Sequence, residues 1–436
     1  MPKTSRRGFL KGVATLIPAR ALGRGGFVAP SERIVMAGVG LGPRGQQDLN
    51  QWIVHNKEVQ FVAIADVQRF RRQQVKKAVD AAYGSRDCRM YRDFREILAR
   101  PDVDCILAAP GVRWHANLSI LAMRAGKDVY TEKPGGMTIA ECKAVMETAE
   151  TYGRIYQAGT QRLSEGPMVI ANELCARGYL GEVKTAYTYL VPLFFRGWET
   201  VYTKRDWKPA QPEPDPDVCD WDMWLGPSPW RPYNEAYVKG DWRQIYDLHT
   251  GPIAGWGSHC FAQAQAALGL RDTSAVYYPW MTRGGRNLNC DNMPLQFANG
   301  KTIVNTTQGW PKGYGWCAVK YVGTEGWVAC GDGYTRAECS NKALYAEYER
   351  ILSEYIARTG HVMNHMQDFL NSVRTRRPPV SDARLMYRSM TTAHAANIAQ
   401  WVKADLEFDP VKGAFRNNPE ANRHLSRAQR RRWQVV

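Results

Sequence analysis

The sequence predicts an α/β half followed by an α+β half. Apolar strands alternate with helices from residue 33 to about residue 160, as in a parallel sheet with crossover helices. After residue 160 the alternation stops, and longer strands recur between residues 183 and 322. Two long helices and a polar arm follow. With 436 residues, 44% of them hydrophobic, two or three domains of ordinary globular composition are expected.

The first strand runs into a nucleotide-binding pattern. Residues 33–39 are apolar and precede Gly40-Leu-Gly42-Pro-Arg44-Gly45, which is G-x-G-x-x-G at the junction of a strand and a helix. Glycines there allow a tight turn, close approach of the backbone to a pyrophosphate, and tight packing of the helix. The helix N-terminus adds amide donors for phosphates. We therefore predict cofactor contacts at Gly40, Gly42, Arg44 and Gly45.

The second strand ends in an acidic residue. Residues 59–65 are apolar, and Asp66 follows them, 21 residues after the last glycine of the turn. An acid in this place suits the ribose hydroxyls of NAD. Strand, glycine turn, helix, strand and acid in this order predict a Rossmann unit. Arg69, Arg71 and Arg72 come next and could bind a 2′-phosphate, so NAD is favoured and NADP stays open.

The alternation continues to residue 158. Strands are predicted at 104–110, 128–131 and 155–158, and helices at 116–125 and 138–152. Because carboxyl ends of parallel strands share one edge of the sheet, the turns after these strands should lie beside the glycine turn. Cofactor contacts are accordingly predicted at Pro110, Trp114, His115, Glu132, Lys133 and Gln161. His115 could equally cap the next helix, and an isolated Glu-Lys-Pro is more often a surface turn.

The two termini carry much of the net charge of +16. Residues 1–30 hold six basic residues and no acid, and five arginines lie in the last fourteen residues. The rest is mildly basic and has no nucleic-acid motif, so nucleic-acid binding is not expected.

The N-terminus resembles a twin-arginine (Tat) export signal, with Ser5-Arg-Arg-Gly-Phe-Leu-Lys11, an apolar run and Ala19-Arg-Ala21. A disordered basic arm is the alternative. No stable membrane insertion is expected.

The ten cysteines are scattered singly. None forms a C-x-x-C pair, so structural zinc is not expected and no metal site is predicted. Since Tat substrates fold in a reducing compartment, disulfides cannot be assumed from export. We expect most of these side chains to be buried as small hydrophobic groups.

The second half is rich in aromatic residues. A helix at 168–177 and a strand at 183–192 open it, and ten of the fifteen tryptophans lie between residues 194 and 316. Core packing is expected for any single tryptophan, and a carbohydrate cleft is plausible for the group. Further strands are predicted at 275–278, 293–297, 302–306 and 318–322, with a hairpin at 297–301 and helices at 361–373 and 387–404.

Seven motifs follow one another along the chain: the glycine turn, Ala65-Asp-Val67, Ala125-Gly-Lys-Asp-Val-Tyr-Thr-Glu-Lys-Pro134, Gly226-Pro-Ser-Pro-Trp230, Gly257-Ser-His259, Val322-Gly-Thr-Glu-Gly-Trp327 and His365-Met-Gln-Asp-Phe369. In this order they resemble the glucose–fructose oxidoreductase/inositol dehydrogenase/MocA (Gfo/Idh/MocA) family. Residues 418–426 are similar to tails of the exported branch. The resemblance implies a Rossmann domain, a second domain on a large open, mainly antiparallel sheet, and homo-oligomers formed through that sheet.

The resemblance also implies roles for two residues. Lys133 would hydrogen-bond the reacting hydroxyl, and His259 would be the general base that takes its proton as hydride passes to NAD. From the residues alone, His259 could equally be a buried, hydrogen-bonded histidine. Substrate contacts are predicted at Lys133, Arg162, Tyr246, Asp247, His249 and His259.

One departure from the family pattern concerns the partners of His259. The family commonly has an acid four residues before this histidine and another three residues after it, where this chain has Gly255 and Ala262. Asp247 or His249, just upstream, is the predicted substitute.

Four segments are expected: a signal at 1–30, the Rossmann domain at 31–160, a substrate and oligomerisation domain at 161–404, and an arm at 405–436.

Export to the periplasm through the Tat machinery would require a tightly bound cofactor that is regenerated in place. We predict an NAD(P)-dependent oxidoreductase acting on a sugar, cyclitol or glycoside. The alternatives are a redox-neutral glycosidase, with Tyr246, His249 or Tyr202 as an extra base, and a protein that binds sugar or cofactor without catalysis.

Overall fold

A computed structural model describes residues 29–190, 207–281, 291–310 and 317–436. Its first half is built on a parallel sheet of six strands in the order β3-β2-β1-β4-β5-β6. The strands are β1 Ile34–Val39, β2 Val59–Ala65, β3 Arg89–Tyr91, β4 Cys105–Ala108, β5 Asp128–Glu132 and β6 Tyr156–Gly159. This arrangement is a doubly wound sheet, which confirms the predicted Rossmann domain.

Helices connect these strands as a parallel sheet requires. They are α1 Pro43–Asp48, extended by a π-helical stretch Leu49–Ile53, α2 Arg69–Tyr83, α3 Phe94–Leu98, α4 His115–Arg124 and α5 Ile139–Tyr152. The sequence prediction missed β3 and α3. Arg89 and Met90 are exposed, and β3 pairs only with β2 at the edge of the sheet. An edge strand of this kind lacks the apolar run that marks its neighbours.

The second half forms a separate sheet in the order β13-β12-β11-β7-β10-β9-β8-β14-β15. Among the strand pairs that the described residues form in this sheet, only β7–β10 is parallel, which confirms the mainly antiparallel character. The strands are β7 Val183–Tyr189, β8 Tyr277–Tyr278, β9 Met293–Gln296, β10 Thr302–Asn305, β11 Ala318–Gly323, β12 Trp327–Cys330, β13 Glu338–Cys339, β14 Leu406–Asp409 and β15 Ala414–Phe415.

The helices of this half are α6 Gly166–Ala176, α7 Trp221–Leu225, α8 Glu235–Lys239, α9 Gly251–Ala267, α10 Tyr348–Thr359, α11 His365–Thr375, α12 Ala383–Val402 and α13 Pro419–Arg423. The prediction missed α10. It started α11 four residues early, because the side chain of Asn364 caps the helix by accepting a hydrogen bond from Gln367 N. Asp382 caps α12 in the same way, through Leu385 N.

The C-terminal residues, predicted as a polar arm, are an integrated part of the fold. Strands β14 and β15 extend the second sheet, and the chain then crosses back to the first half. There the buried Trp433 makes an edge-to-face contact with Trp114, with 5.2 Å between ring centroids. Arg430 holds this segment by donating to Gly226 O at 2.8 Å and pairing with Asp222.

Gly226 occupies a position that only glycine fits. Its φ and ψ are 57° and −130°, and a Cβ there would lie 2.4 Å from the indole of Trp114. We expect Gly226→Ala to lower the free energy of unfolding by about 1–3 kcal/mol, because the side chain would overpack a buried contact. The urea midpoint measures this effect. Gly269→Ala is the control, since φ is 71° and a Cβ would meet nothing within 4 Å; equal losses in both variants would contradict the steric argument.

Nine cysteines lie among the described residues, and all are buried and unpaired in disulfides, as predicted; Cys290 lies outside the described residues. Across the part of the chain that the structure describes, no helix is both long and apolar enough for a membrane span. Within the same residues, no three His, Cys, Asp or Glu side chains are grouped to hold a metal ion.

Candidate cofactor and substrate cleft

A cavity of about 1230 Å³ lies at the carboxyl edge of the parallel sheet. The glycine turn after β1, the Asp66 turn after β2, residues 109–115 after β4, and Glu132–Pro134 after β5 all line it. The opposite wall comes from α9 and residues 238–243. The topology therefore brings four separate strand ends to one cleft, which is where ligands bind in open α/β sheets.

The three glycines of the turn differ in what a side chain would meet. At Gly40, where φ is 68°, a Cβ would lie 2.5 Å from Pro110; at Gly45 it would lie 2.8 Å from Ala109. At Gly42 it would approach only the Arg71 guanidinium, at 3.8 Å, inside the cavity. Gly40 thus serves the turn, Gly45 serves packing, and Gly42 leaves open the space that a pyrophosphate needs. These residues fit a dinucleotide.

Asp66 lies at the end of the cavity on the β2 side. Its carboxylate is buried and accepts a hydrogen bond from Gln68 N at 2.9 Å. Burial raises its pKa to about 6. Of the three arginines that follow, Arg69 and Arg72 pair with Asp217, and Arg71 lines the cavity.

We expect Asp66→Ser to weaken NAD binding at least tenfold and to improve the ratio of NADP to NAD affinity. The variant loses the acceptor for the ribose hydroxyls, while Arg71 stays in the cavity to meet a 2′-phosphate. Fluorescence titration of nucleotide-free protein with NADH and NADPH measures both constants. An unchanged preference would remove Asp66 and Arg71 from the specificity determinants.

Glu132 is held in place at the end of β5 rather than left free. It is buried and accepts hydrogen bonds from Gln161 Nε2 at 2.6 Å and from Arg44 Nε at 3.1 Å. Arg44 also pairs with the buried Asp48 at 2.7 Å. Burial and the neighbouring Glu132 carboxylate raise the pKa of Asp48. Arg44, Glu132 and Gln161 all line the cleft and form its polar base next to Lys133.

Lys133 points across the cleft to α9. Its ammonium group donates to Gly255 O at 3.0 Å and lies 4.4 Å from the centre of the Trp256 ring. Burial lowers its pKa, and Glu132 partly opposes that shift. The sequence alone did not identify Trp256, although it stands three residues before His259. A cation on an indole face keeps its charge where water is scarce.

His259 is buried on α9 and lines the same cavity. Its Nδ1 has no hydrogen-bond partner among the described residues. Burial lowers its pKa well below the ordinary value, and the positive charges of Lys133 and Arg162 add to this shift. The imidazole is therefore neutral at neutral pH and can accept a proton, as a general base must.

His115 and Trp114 are fixed by the protein. The ring nitrogens of His115 lie 2.7 Å from Pro134 O and 3.0 Å from Pro110 O, so the ring lies between two loops and, when neutral, donates to one of these carbonyls. The indole of Trp114 donates to Met223 O at 2.8 Å. His115 is the first residue of α4, but it is tied to two carbonyls of the loops rather than to its own helix. Both residues still line the cleft.

The two predicted substitutes for the missing acid have different positions. A Cβ on Gly255 would lie 3.8 Å from His249 Cε1, and His249 lines the cleft. Burial, with the charge of Lys133, lowers the pKa of His249 to about 3. Asp247 instead pairs with Arg231 at 2.9 Å, away from the cleft. Ala262 is buried in an apolar cluster. His249 is thus the neighbour of Gly255, and it is uncharged.

The other predicted substrate residues lie in different places. Arg162 lines the cleft, where Asp332 and Glu165 neutralise it. Tyr246 and Asp247 do not line the cleft, and they line a second, smaller cavity instead. Tyr202 lies outside the described residues. The sequence analysis also missed Arg113. This residue is buried in the cleft wall, and its guanidinium lies 3.8 Å from the centre of the Trp224 ring. Its position four residues after Ala109, in the turn that follows β4, could have placed it at the cleft.

Comparison with known proteins agrees with this geometry. Residues 32–160 match the Gfo/Idh/MocA oxidoreductase family, NAD-binding Rossmann fold, and residues 195–281 with 337–435 match its C-terminal α/β domain. The chain belongs to this family. Residues 32–160 accordingly form the NAD-binding domain of an oxidoreductase family, as predicted from the sequence.

Solved structures share this fold at low sequence identity. The myo-inositol 2-dehydrogenase of Lactobacillus plantarum is 14% identical, with a TM-score of 0.58 over 86% of this chain and 100% of that one. The WlbA dehydrogenase of Bordetella pertussis, in complex with NADH and UDP-GlcNAcA, is 15% identical, with a TM-score of 0.59 over 86% of this chain and 99% of that one.

Curated relatives match over a shorter stretch. A glycosyl hydrolase family 109 protein of Shewanella baltica is 31% identical over 136 residues, and an alpha-N-acetylgalactosaminidase of Shewanella oneidensis is 31% identical over 135 residues. Each match covers 29% of this chain and 28% of the relative. The chain therefore spans little more than a quarter of the length of these relatives.

Proposed function

We propose that this protein is an NAD-dependent oxidoreductase that removes hydride from a hydroxyl-bearing carbon of a sugar, cyclitol or glycoside. The observation that carries the proposal is that Lys133 and His259 line the same cavity as the glycine turn and Asp66. Alcohol oxidation needs a cation, a neutral base and a binding site for the dinucleotide, and all three lie in this cleft.

When bound, NAD supplies a nicotinamide ring that accepts the hydride. The glycine turn and Asp66 would hold its phosphates and ribose. Lys133 would donate a hydrogen bond to the reacting hydroxyl, and its charge stabilises the oxygen as the proton leaves. His259, neutral because burial and Lys133 lower its pKa, would accept that proton. Trp256, beside Lys133, offers an apolar face to a sugar ring.

The experiment uses the purified protein with nothing added. Denaturation and chromatography identify any released nucleotide, and nicotinamide absorbance of the intact protein is followed while sugars and aryl glycosides are added. Reduction of bound NAD by a free sugar supports the proposal. Sugar binding without an absorbance change would favour a binding protein that has lost catalysis. Absence of nucleotide, before and after soaking with NAD, would overturn the proposal.

A redox-neutral glycosidase, which returns its cofactor to the starting state in each turnover, is the second candidate. Relatives named as glycosyl hydrolases favour it. Release of an aglycone with no net change in nicotinamide absorbance would establish it over the first candidate.

The structure also supports a tightly held cofactor, because residues 215–222 are fastened to the turn that carries Asp66. We call this segment the 215–222 clamp. Arg72 is buried and donates to Asp66 O at 2.7 Å and to Asp217 Oδ1 at 2.6 Å. The backbone is bound as well, from Asp220 N to Val67 O at 3.1 Å. The clamp must open if the Asp66 turn is to move.

We expect Asp217→Asn to speed NAD release about tenfold. The variant removes the carboxylate charge that pairs with Arg69 and the buried Arg72, so the clamp holds the Asp66 turn less firmly. Stopped-flow fluorescence of NADH displaced by excess NAD measures the rate. Asp102→Asn is the control, because it removes a similar ion pair with Arg100 elsewhere. An equal effect of both changes would argue against the clamp.

Export through the Tat pathway to the periplasm is part of the proposal. The Arg6-Arg7 pair and the apolar run after it support it, although residues 1–28 lie outside the described ones. Substituting Lys for both Arg6 and Arg7 should keep the protein in the cytoplasmic fraction. Unchanged fractionation would remove export from the proposal.

A homo-oligomer formed through the second sheet is also proposed. Half-buried Tyr187, Tyr189 and Val304 alternate along β7 and β10 with fully buried residues, and they leave an aromatic and aliphatic face. Such a face is typical of a surface that packs on a second copy. Light scattering should give a multiple of 49.3 kDa for the wild type and a lower mass for Val304→Arg; a monomeric wild type would contradict this.

A further inference from the structure

A second cavity, of about 290 Å³, lies behind the cleft. Two sequence motifs without a role in the proposed chemistry meet there: Pro227–Pro229 of the Gly-Pro-Ser-Pro-Trp stretch, and residues 423–429 of the C-terminal segment. Tyr246 and Asp247 complete the wall. We call this space the tail cavity.

Arg427 is the central cation of the tail cavity. Its guanidinium lies 3.8 Å from the centre of the Tyr246 ring. Nη1 donates to Tyr246 O and, at 3.2 Å, to His249 O. Nη2 is buried and has no hydrogen-bond partner among the described residues. Within the same residues, Arg427 forms no ion pair with a carboxylate, although the charge of Glu141 lies close enough to interact with it.

Arg113 adds a second cation, and it lines both the tail cavity and the main cleft. It is only 4% exposed. Its Nε donates to Trp224 O at 2.7 Å, while Nη1 is buried without a partner among the described residues. Burial lowers its pKa to about 9, so the group is charged at neutral pH but poorly compensated.

The acids in the wall do not balance these charges. Asp247 is already paired with Arg231 at 2.9 Å. Glu141 is buried and accepts hydrogen bonds from Met137 N at 2.6 Å and from Gln429 Nε2 at 3.0 Å. Burial raises the pKa of Glu141, and the nearby charge of Arg427 opposes that shift. The single carboxylate of Glu141 thus faces the two guanidinium groups of Arg427 and Arg113, which leaves the tail cavity with an excess of positive charge.

Buried guanidinium groups without an anion are costly, and planar N–H donors match the oxygens of sulfate, phosphate and carboxylate. We propose that the tail cavity binds a small oxyanion through Arg427 and Arg113, either a free ion or an acidic substituent of the carbohydrate. The second source rests on the proposed function. His249 connects the two spaces, because its ring lines the cleft and its carbonyl binds Arg427.

The first arm of the test is calorimetric titration of the NAD-loaded protein with sodium sulfate and sodium phosphate, at ionic strength fixed by sodium chloride. We expect saturable binding at one site, at least tenfold weaker in Arg427→Gln. Arg432→Gln should bind like the wild type, because Arg432 is exposed, pairs with Asp222 and does not line the tail cavity. If Arg427→Gln does not fold, Arg427→Lys keeps the charge but loses the planar fork, and weaker binding is expected there too.

The second arm distinguishes the two sources. Glucuronate and glucose 6-sulfate are compared with glucose in the same titrations. An acidic sugar that binds more tightly than both glucose and inorganic sulfate, and loses this advantage in Arg427→Gln, identifies a substrate substituent. Inorganic ions that bind as well as the acidic sugars identify a free anion. No saturable binding of any acidic probe, or equal binding in Arg427→Gln, would overturn the proposal. Nicotinamide absorbance reports the proposed function separately.

Discussion

Replacing His259 with glutamine is expected to lower kcat by about 10²- to 10⁴-fold, the usual contribution of a positioned general base. Glutamine keeps a polar group of similar reach but cannot take the hydroxyl proton. The amount of NAD that copurifies should not change, because the glycine turn and Asp66 are untouched. Steady-state kinetics with the substrate found in the sugar panel, together with nucleotide content, measures both.

The control for this variant is His55→Gln, which removes an exposed histidine that is distant from His259 in the sequence. It should leave kcat and KM unchanged. If His259→Gln retained kcat within about threefold of wild type, His259 would be a buried structural histidine, and the base would have to be sought elsewhere in the cleft.

The pH profile gives a second view of His259. Its pKa is lowered well below 6.5 by burial and by Lys133, so the proton-accepting form persists as the pH falls through 6.5. The acid limb of kcat/KM should therefore lie below the ordinary histidine value. An acid limb at or above 6.5 in the wild type would contradict this electrostatic argument.

Replacing Lys133 with methionine is expected to lower kcat by about 10²- to 10³-fold, as removal of one charged donor at a reacting oxygen does. Methionine has a similar length but no charge and no N–H. The same change should move the acid limb of kcat/KM upward, because the cation that lowers the pKa of His259 is gone. An acid limb that stays in place would contradict the electrostatic coupling between Lys133 and His259.

Lys127→Met is the matched control for Lys133. Lys127 is buried and donates to Arg100 O at 2.6 Å and Val103 O at 2.8 Å, at the opposite edge of the sheet. Its loss should lower stability and leave kcat and the pH profile unchanged. Similar kcat losses in both variants would mean that the Lys133 effect reflects loss of a buried lysine rather than chemistry.

The sequence by itself determined the parts of the protein that depend on short-range order. Gly40, Gly42 and Gly45 have separate functions that follow from their spacing after a strand, and Asp66 is fixed by the end of the next strand. Lys133 was found because residue order places the ends of parallel strands at one edge. In each case a few neighbouring residues specify both the local backbone and the position in the sheet.

Only the tertiary structure decided features made by residues far apart in the chain. The predicted arm folds back and places Trp433 against Trp114. Tyr246 and Asp247, predicted as substrate contacts, line the tail cavity rather than the cleft. Arg113 and Arg427, which lie 314 positions apart in the sequence, both line this cavity. Burial and charge stabilise such contacts only in the folded state, and no local sequence pattern predicts which distant residue will form the contact.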